Sequence, residues 1–130
     1  MTGLDTNVLV RYLTADDPEQ SEAALRLLNK KGALFFVPDL VLVEVDWVLS
    51  GSYGWTREEI AEAFARLLTV HNLLFENEAR IRGALRTLRL GADLSDALIA
   101  ELAQERGCSE LATFDKGLLK HFPKLAFAPK

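Results

Sequence analysis

Asp39-Leu40-Val41-Leu42-Val43-Glu44-Val45-Asp46-Trp47-Val48-Leu49-Ser50 is the run on which the architecture turns. Val41, Val43, Val45 and Val48 favour a strand, and Glu44 and Asp46 alternate with apolar neighbours as in a half-buried strand. The length of the run and Asp39 as a capping residue favour a helix, and a mostly buried helix is the better reading. The choice has a chemical consequence. On a strand Glu44 and Asp46 share a face; on a helix they point about 200° apart, so only one reaches a common site. No Lys or Arg lies within a helical turn of Glu44, so a buried Glu44 needs a metal or a distant arginine.

Strands and helices alternate on either side of this run. Residues 2–5 read as a buried strand ending at Asp5, and Asn7 to Leu13 as a short helix. Asp17-Pro18-Glu19-Gln20 opens a second helix, with Asp17 as N-cap and Pro18 at its first position, which stops near Gly32. Its apolar side carries Ala23, Ala24, Leu27 and Leu28. Leu34 to Val37 is a buried strand ended by Pro38. After a turn from Gly51 to Trp55, the capping box Thr56-Arg57-Glu58-Glu59 starts a helix to about Thr69. A strand over 72–75, a helix capped by Asn77 to Leu90, and a helix from about Ser95 to Arg106 follow. The chain closes with a strand over 110–113, a short helix over 116–121 and a last strand over 125–127. This alternation predicts an α/β domain with a largely parallel sheet.

The 130 residues read as a single domain, 1–130, with 49% apolar residues in short runs, enough for one core. No run approaches the ~18 apolar residues of a membrane span, and no basic-then-apolar leader opens the chain. A cytoplasmic protein with no membrane partner is expected. Cys108, the only cysteine, excludes intrachain disulfides and fits a reducing compartment. It is expected to be a small core residue rather than a nucleophile, because His71 and His121 sit in no motif near it. The net charge of −4 argues against a passive nucleic-acid binder but not against a nuclease, whose acids recruit cations that reverse the local field.

Four acids stand among small, apolar or turn-forming neighbours: Asp5, Glu44, Asp96 and Asp115. Carboxylates in such surroundings are costly unless something cationic meets them. A carboxylate cluster with no matching His or Cys suits a hard, oxygen-seeking cation such as Mg2+ or Mn2+, which points to metal-assisted phosphodiester chemistry. Asp5 and Asp115 follow predicted strands, at the sheet edge where open α/β folds place ligands. Asp115 also reads as a plain helix N-cap. Asp93 and Asp96 stand three apart at a helix start, where the dipole favours either acid. Asp16, Asp17, Asp39 and Asp46 read as caps or surface charges. Arg82, Arg86 and Arg89 share one helix face and, with Arg11, form a candidate phosphate-contact stripe.

Leu4-Asp5-Thr6-Asn7-Val8-Leu9, then Glu44 in an apolar helix, then Asp96-Ala97-Leu98-Ile99-Ala100 and Thr113-Phe114-Asp115, resemble the PIN-domain family along essentially the whole chain. The likeness is greatest to the VapC-type toxins of toxin–antitoxin modules. The resemblance implies a three-layer α/β/α fold around a parallel five-stranded sheet, and residues 39–50 as helix with Asp46 outside the site. It implies an endoribonuclease dependent on Mg2+ or Mn2+, a cognate antitoxin protein as partner, and a homodimer. Asp5, Glu44 and Asp96 match the three acids the family relies on most, and Asp115 the more variable fourth. Asp93 is an additional acid where members differ. Thr6, Asn7 and Thr113 match polar residues that orient the acids. A catalytically silent PIN-like binding protein and a PIN nuclease of RNA processing without an antitoxin are the alternatives. A dehalogenase-type phosphatase would want an aspartate where Asn7 stands, and a receiver domain would want paired acids that Leu4-Asp5 does not supply.

Overall fold

All but one of the helix starts in this chain are set by short polar side chains that satisfy otherwise orphaned first amides. The computed structural model describes residues 1–130. Asp5 precedes helix α1 (Thr6–Leu13) and accepts from the Thr6 amide. Asp17 accepts from Gln20 N to open α2 (Pro18–Leu28), with Pro18 in the first turn. The reciprocal Thr56–Glu59 capping box opens α4 (Arg57–Leu67). Asn77 caps α5 (Glu78–Arg89), Asp93 caps α6 (Leu94–Glu105) and Asp115 caps α7 (Lys116–His121).

The run 39–50 is helical: α3 spans Asp39–Gly51. Its cap is Pro38 rather than Asp39, which is the first helical residue and turns its carboxylate to Arg80 instead. Val41, Leu42, Val43, Val45, Asp46 and Leu49 are buried, whereas Leu40, Glu44 and Trp47 form the exposed stripe.

The sheet departs from expectation. Strands β1 (Thr2–Gly3), β2 (Phe35–Val37) and β3 (Leu73–Phe75) form one parallel sheet in that order, with Thr2 opposite Phe35 and Phe35 opposite Leu73. Strands β4 (Leu111–Ala112) and β5 (Ala126–Phe127) form a separate parallel pair. One five-stranded sheet is therefore replaced by two small ones. The physical reason lies in the chain immediately after the strands. Backbone pairing of the first strand runs through Leu4, whose amide donates to Phe36 O, and Asp5 then caps a helix. That of the fourth ends at Thr113, whose amide donates to Phe127 O, two residues before the Asp115 cap. Strands cut to two or three residues present few backbone groups to a lateral neighbour, and β1 and β4 do not pair.

Burial is shared among helices and strands in one cluster of 23 residues, including Leu9, Phe35, Val37, Leu42, Leu49, Phe64 and Leu94. α3 lies centrally, packed against α1, α4 and α6. Asn72, itself buried, donates from Nδ2 to Leu28 O at 2.8 Å and ties the end of α2 to the start of β3. Cys108 is exposed after α6, not in the core: Gly107 ends that helix in a left-handed turn and carries the following residues outward. No helix is long and apolar enough to cross a membrane.

Candidate active site

Three of the acids singled out by sequence are held at helix N-termini by backbone amides. Asp5 Oδ1 accepts from Thr6 N at 2.7 Å, Asp93 Oδ1 from Asp96 N at 2.9 Å and Asp115 Oδ2 from Leu118 N at 2.8 Å. Positive helix ends favour carboxylates at these places. Each cap engages one oxygen and leaves the other, so capping and ligand binding are compatible. Thr113 fixes the approach to Asp115 by accepting from its amide through Oγ1 at 2.9 Å. Thr6 is buried, with its hydroxyl lacking any partner in the protein, and Asn7 is exposed.

Asp96 differs from these three because it caps nothing. It lies half-buried in the first turn of α6, and its carboxyl is pushed up to about 6 from an ordinary 3.8. Burial is the largest cause, followed by the charges of Asp93 and Asp115 and by a hydrogen bond to Asp115 that favours the protonated acid. Like charges are thus gathered where α6 meets α7. Gly117 makes the approach possible: a Cβ there would stand 2.8 Å from Asp96 Oδ2 and 3.0 Å from Asp115 Oδ2.

Asp5 and Glu44 form no hydrogen bond or ion pair with this group, and no three His, Cys, Asp or Glu side chains stand close enough to enclose an ion. Glu44 is exposed on α3, flanked by exposed Leu40 and Trp47, rather than buried among valines. The buried acid of that helix is Asp46, at 0% exposure. Its reading as a cap or surface charge is overturned. Asp46 Oδ2 accepts from Leu94 N at 2.9 Å, and Arg57 Nη1 lies 2.9 Å from Oδ1 and 3.2 Å from Oδ2. Burial pushes the Asp46 carboxyl up, opposed by the Leu94 amide and the Arg57 guanidinium. The helical reading puts Glu44 and Asp46 on opposite sides, but the evenly apolar neighbours of both concealed which side faces inward. Nothing adjacent in sequence announced Arg57 as the partner.

The arginines are largely engaged. Arg82 pairs with Glu78, and Arg89 with Glu58 and Glu62 on α4. Arg11 donates to Gln20, Asp16 and Tyr53, while Arg86 is exposed and has no ion pair. Arg80, which the stripe did not include, is the most enclosed of those on α5, pairing with Asp39 and Glu105.

A family model described as PIN domain matches residues 4–125. The chain belongs to the PIN domain family. It is 32% identical over 128 residues to a protein of Aquifex aeolicus (strain VF5) named VapC ribonuclease, a match covering 95% of this chain and 91% of that one. Among the acids of this PIN domain, Asp96 and Asp115 are the pair the fold brings together, and their all-oxygen chemistry suits a hard divalent cation, whose charge would relieve their repulsion.

Two outcomes follow for this pair. Asp93→Asn keeps the cap on α6 but removes a charge, so the Asp96 carboxyl should titrate below 6, as followed by 13C NMR of its side chain. Gly117→Ala sets a helix-propensity gain of up to about 1 kcal/mol against displacement of the Asp115 Oδ2 that caps α7, so the melting temperature should change little. Its Cβ would push the Asp96 and Asp115 carboxylates apart, which the 13C titration of Asp96 should register as a lower pKa.

Proposed function

We propose that this PIN domain is a metal-dependent endoribonuclease of the VapC type, the toxin of a toxin–antitoxin module, hydrolysing RNA phosphodiester bonds. The observation that carries this reading is the Asp96–Asp115 carboxylate pair at the α6 and α7 N-termini, in a chain with a VapC ribonuclease as relative. Asp5, Glu44, Asp96 and Asp115 would hold Mg2+ or Mn2+, with Asp93 as an additional acid. When bound, such an ion acidifies a water and neutralises charge on the scissile phosphate.

The chain's own residues perform the rest. Thr113 and the Leu118 amide hold Asp115 in place, and the Asp93 cap holds the α6 turn that carries Asp96. Asp96, neither capping a helix nor paired to a cation, is the acid best suited to orient a water and to accept its proton at a carboxylate oxygen. Thr6 and Asn7 would support Asp5 and the ligand beside it. No side chain need serve as nucleophile. Arg86 would meet RNA phosphates directly, whereas a phosphate reaching Arg11, Arg82 or Arg89 would displace carboxylate partners already present. RNA as substrate implies a cytoplasmic site of action.

Partner surfaces accompany this reading. A shallow groove of about 250 Å3 between α1 and α2, lined by Asn7, Val8, Arg11, Ala23 and Leu27, offers an apolar seat for an antitoxin segment. A homodimer belongs to the same reading, on a surface other than the α3 stripe where Glu44 stands between Leu40 and Trp47. Light scattering should then give twice the 14.5 kDa chain mass, and a monomer at all concentrations would remove the dimer from the proposal.

Asp5→Asn should abolish cleavage of RNA in Mg2+ while leaving the far-ultraviolet dichroism and melting curve intact. Full activity of that variant on RNA with Mg2+ would sink the reading of a metal nuclease built on Asp5. Titration with Mn2+ separates the catalytically silent alternative, for which binding would be absent or indifferent to Asp5→Asn.

A further inference from the structure

We infer that Asp46 is a positioning residue for Asp96, fixing the first turn of α6 from inside the core. Its catalytic consequence rests on the nuclease reading above, whereas the positioning itself stands on geometry. A fully buried carboxylate is a poor way to gain stability, since well-packed apolar residues often replace a buried ion pair without loss. What an apolar side chain cannot do is accept a hydrogen bond. Leu94 is the first residue of α6, so its amide is one of the donors that the helix itself leaves unpaired, and Leu94 is wholly buried. Asp46 Oδ2 takes that amide at 2.9 Å.

The second half of the device is Arg57, at the first position of α4. By bonding both oxygens of Asp46 from one nitrogen, it holds the carboxylate's rotation so that Oδ2 faces Leu94. Three helices distant in sequence thereby meet at one carboxylate. The α6 N-terminus is held twice, at Leu94 by Asp46 and at Asp96 by Asp93. Asp96 follows Leu94 by two positions, and a slip of the helix start by one residue would swing its side chain by about 100°. α3 thus uses two acids in opposite directions. Glu44 faces out toward solvent, and Asp46 faces in to set where Asp96 stands relative to it.

Two double variants isolate the hydrogen bond from the charge. Asp46→Leu with Arg57→Leu removes the ion pair and the acceptor, while Asp46→Asn with Arg57→Gln removes the charges but keeps an acceptor for the Leu94 amide. Both are compared with the parent at a temperature where all are folded by dichroism. In the Leu/Leu variant, Leu94 amide hydrogen exchange should accelerate at least about tenfold. Its kcat on RNA with Mg2+ should fall about tenfold or more, with KM within about twofold, as expected for a misplaced catalytic group. The Asn/Gln variant should stay near the parent in both readouts. A folded Leu/Leu variant with parental exchange at Leu94 and parental kcat overturns the inference. So does an Asn/Gln variant that loses as much as Leu/Leu. If Leu/Leu does not fold, Asp46→Ala with Arg57→Ala, which also removes the acceptor and the ion pair but adds no bulk, supplies the same comparison of exchange and kcat. Should the parent fail to cleave RNA, the nuclease reading falls, and Leu94 exchange alone decides the positioning.

Discussion

Gathering carboxylates at one edge of a small protein sets like charges against one another, and the positive ends of helices offset part of that repulsion. Asp5, Asp93 and Asp115 each accept a backbone amide at the start of α1, α6 and α7. The same bonds that begin the helices aim the acids. At Asp5 and Asp115 the chain leaves a strand, turns at an aspartate and enters a helix, whereas Asp93 joins α5 to α6. Of the three acids where α6 meets α7, Asp96 accepts no helix-start amide, and burial first, then the charges of Asp93 and Asp115, raise its proton affinity.

The helices were legible because their signals are local. Asp17-Pro18, Thr56 with Glu59, and Asn77 each satisfy amides within three residues, so a short window of sequence holds the whole interaction. Sheet closure was not legible. Whether β1 and β4 pair depends on backbone atoms more than 100 positions apart, and strands of two or three residues carry too little pattern to decide it. Asp5, Asp96 and Asp115 could be chosen from their neighbours, whereas the inward acid of α3 could not. Leu42, Val43, Val45 and Trp47 surround both Glu44 and Asp46 with similar hydrophobicity, and the guanidinium that selects Asp46 arrives from α4.

Charge pairing elsewhere serves helix packing. Arg80 joins α5 to Asp39 at the start of α3 and to Glu105 at the end of α6, and Arg89 joins α5 to α4. The hydrogen bonds that Arg80 donates to Glu105 and Asp39 raise its proton affinity still further above that of a free guanidinium. A basic stripe seen in sequence is thus distributed among several neighbours once the chain folds. Net charge alone says little about which cations remain for a polyanion, and the PIN domain family membership supplies the context that composition does not.

The occupied start of α6 has a consequence for anions. Many phosphate sites rely on the free amides of a helix N-terminus. Here Asp46 takes the Leu94 amide and Asp93 takes that of Asp96. That end of the helix faces its own carboxylates, so an incoming phosphodiester meets a repulsive potential there. Anion docking at the start of α6 is therefore disfavoured unless a countercharge accompanies the anion.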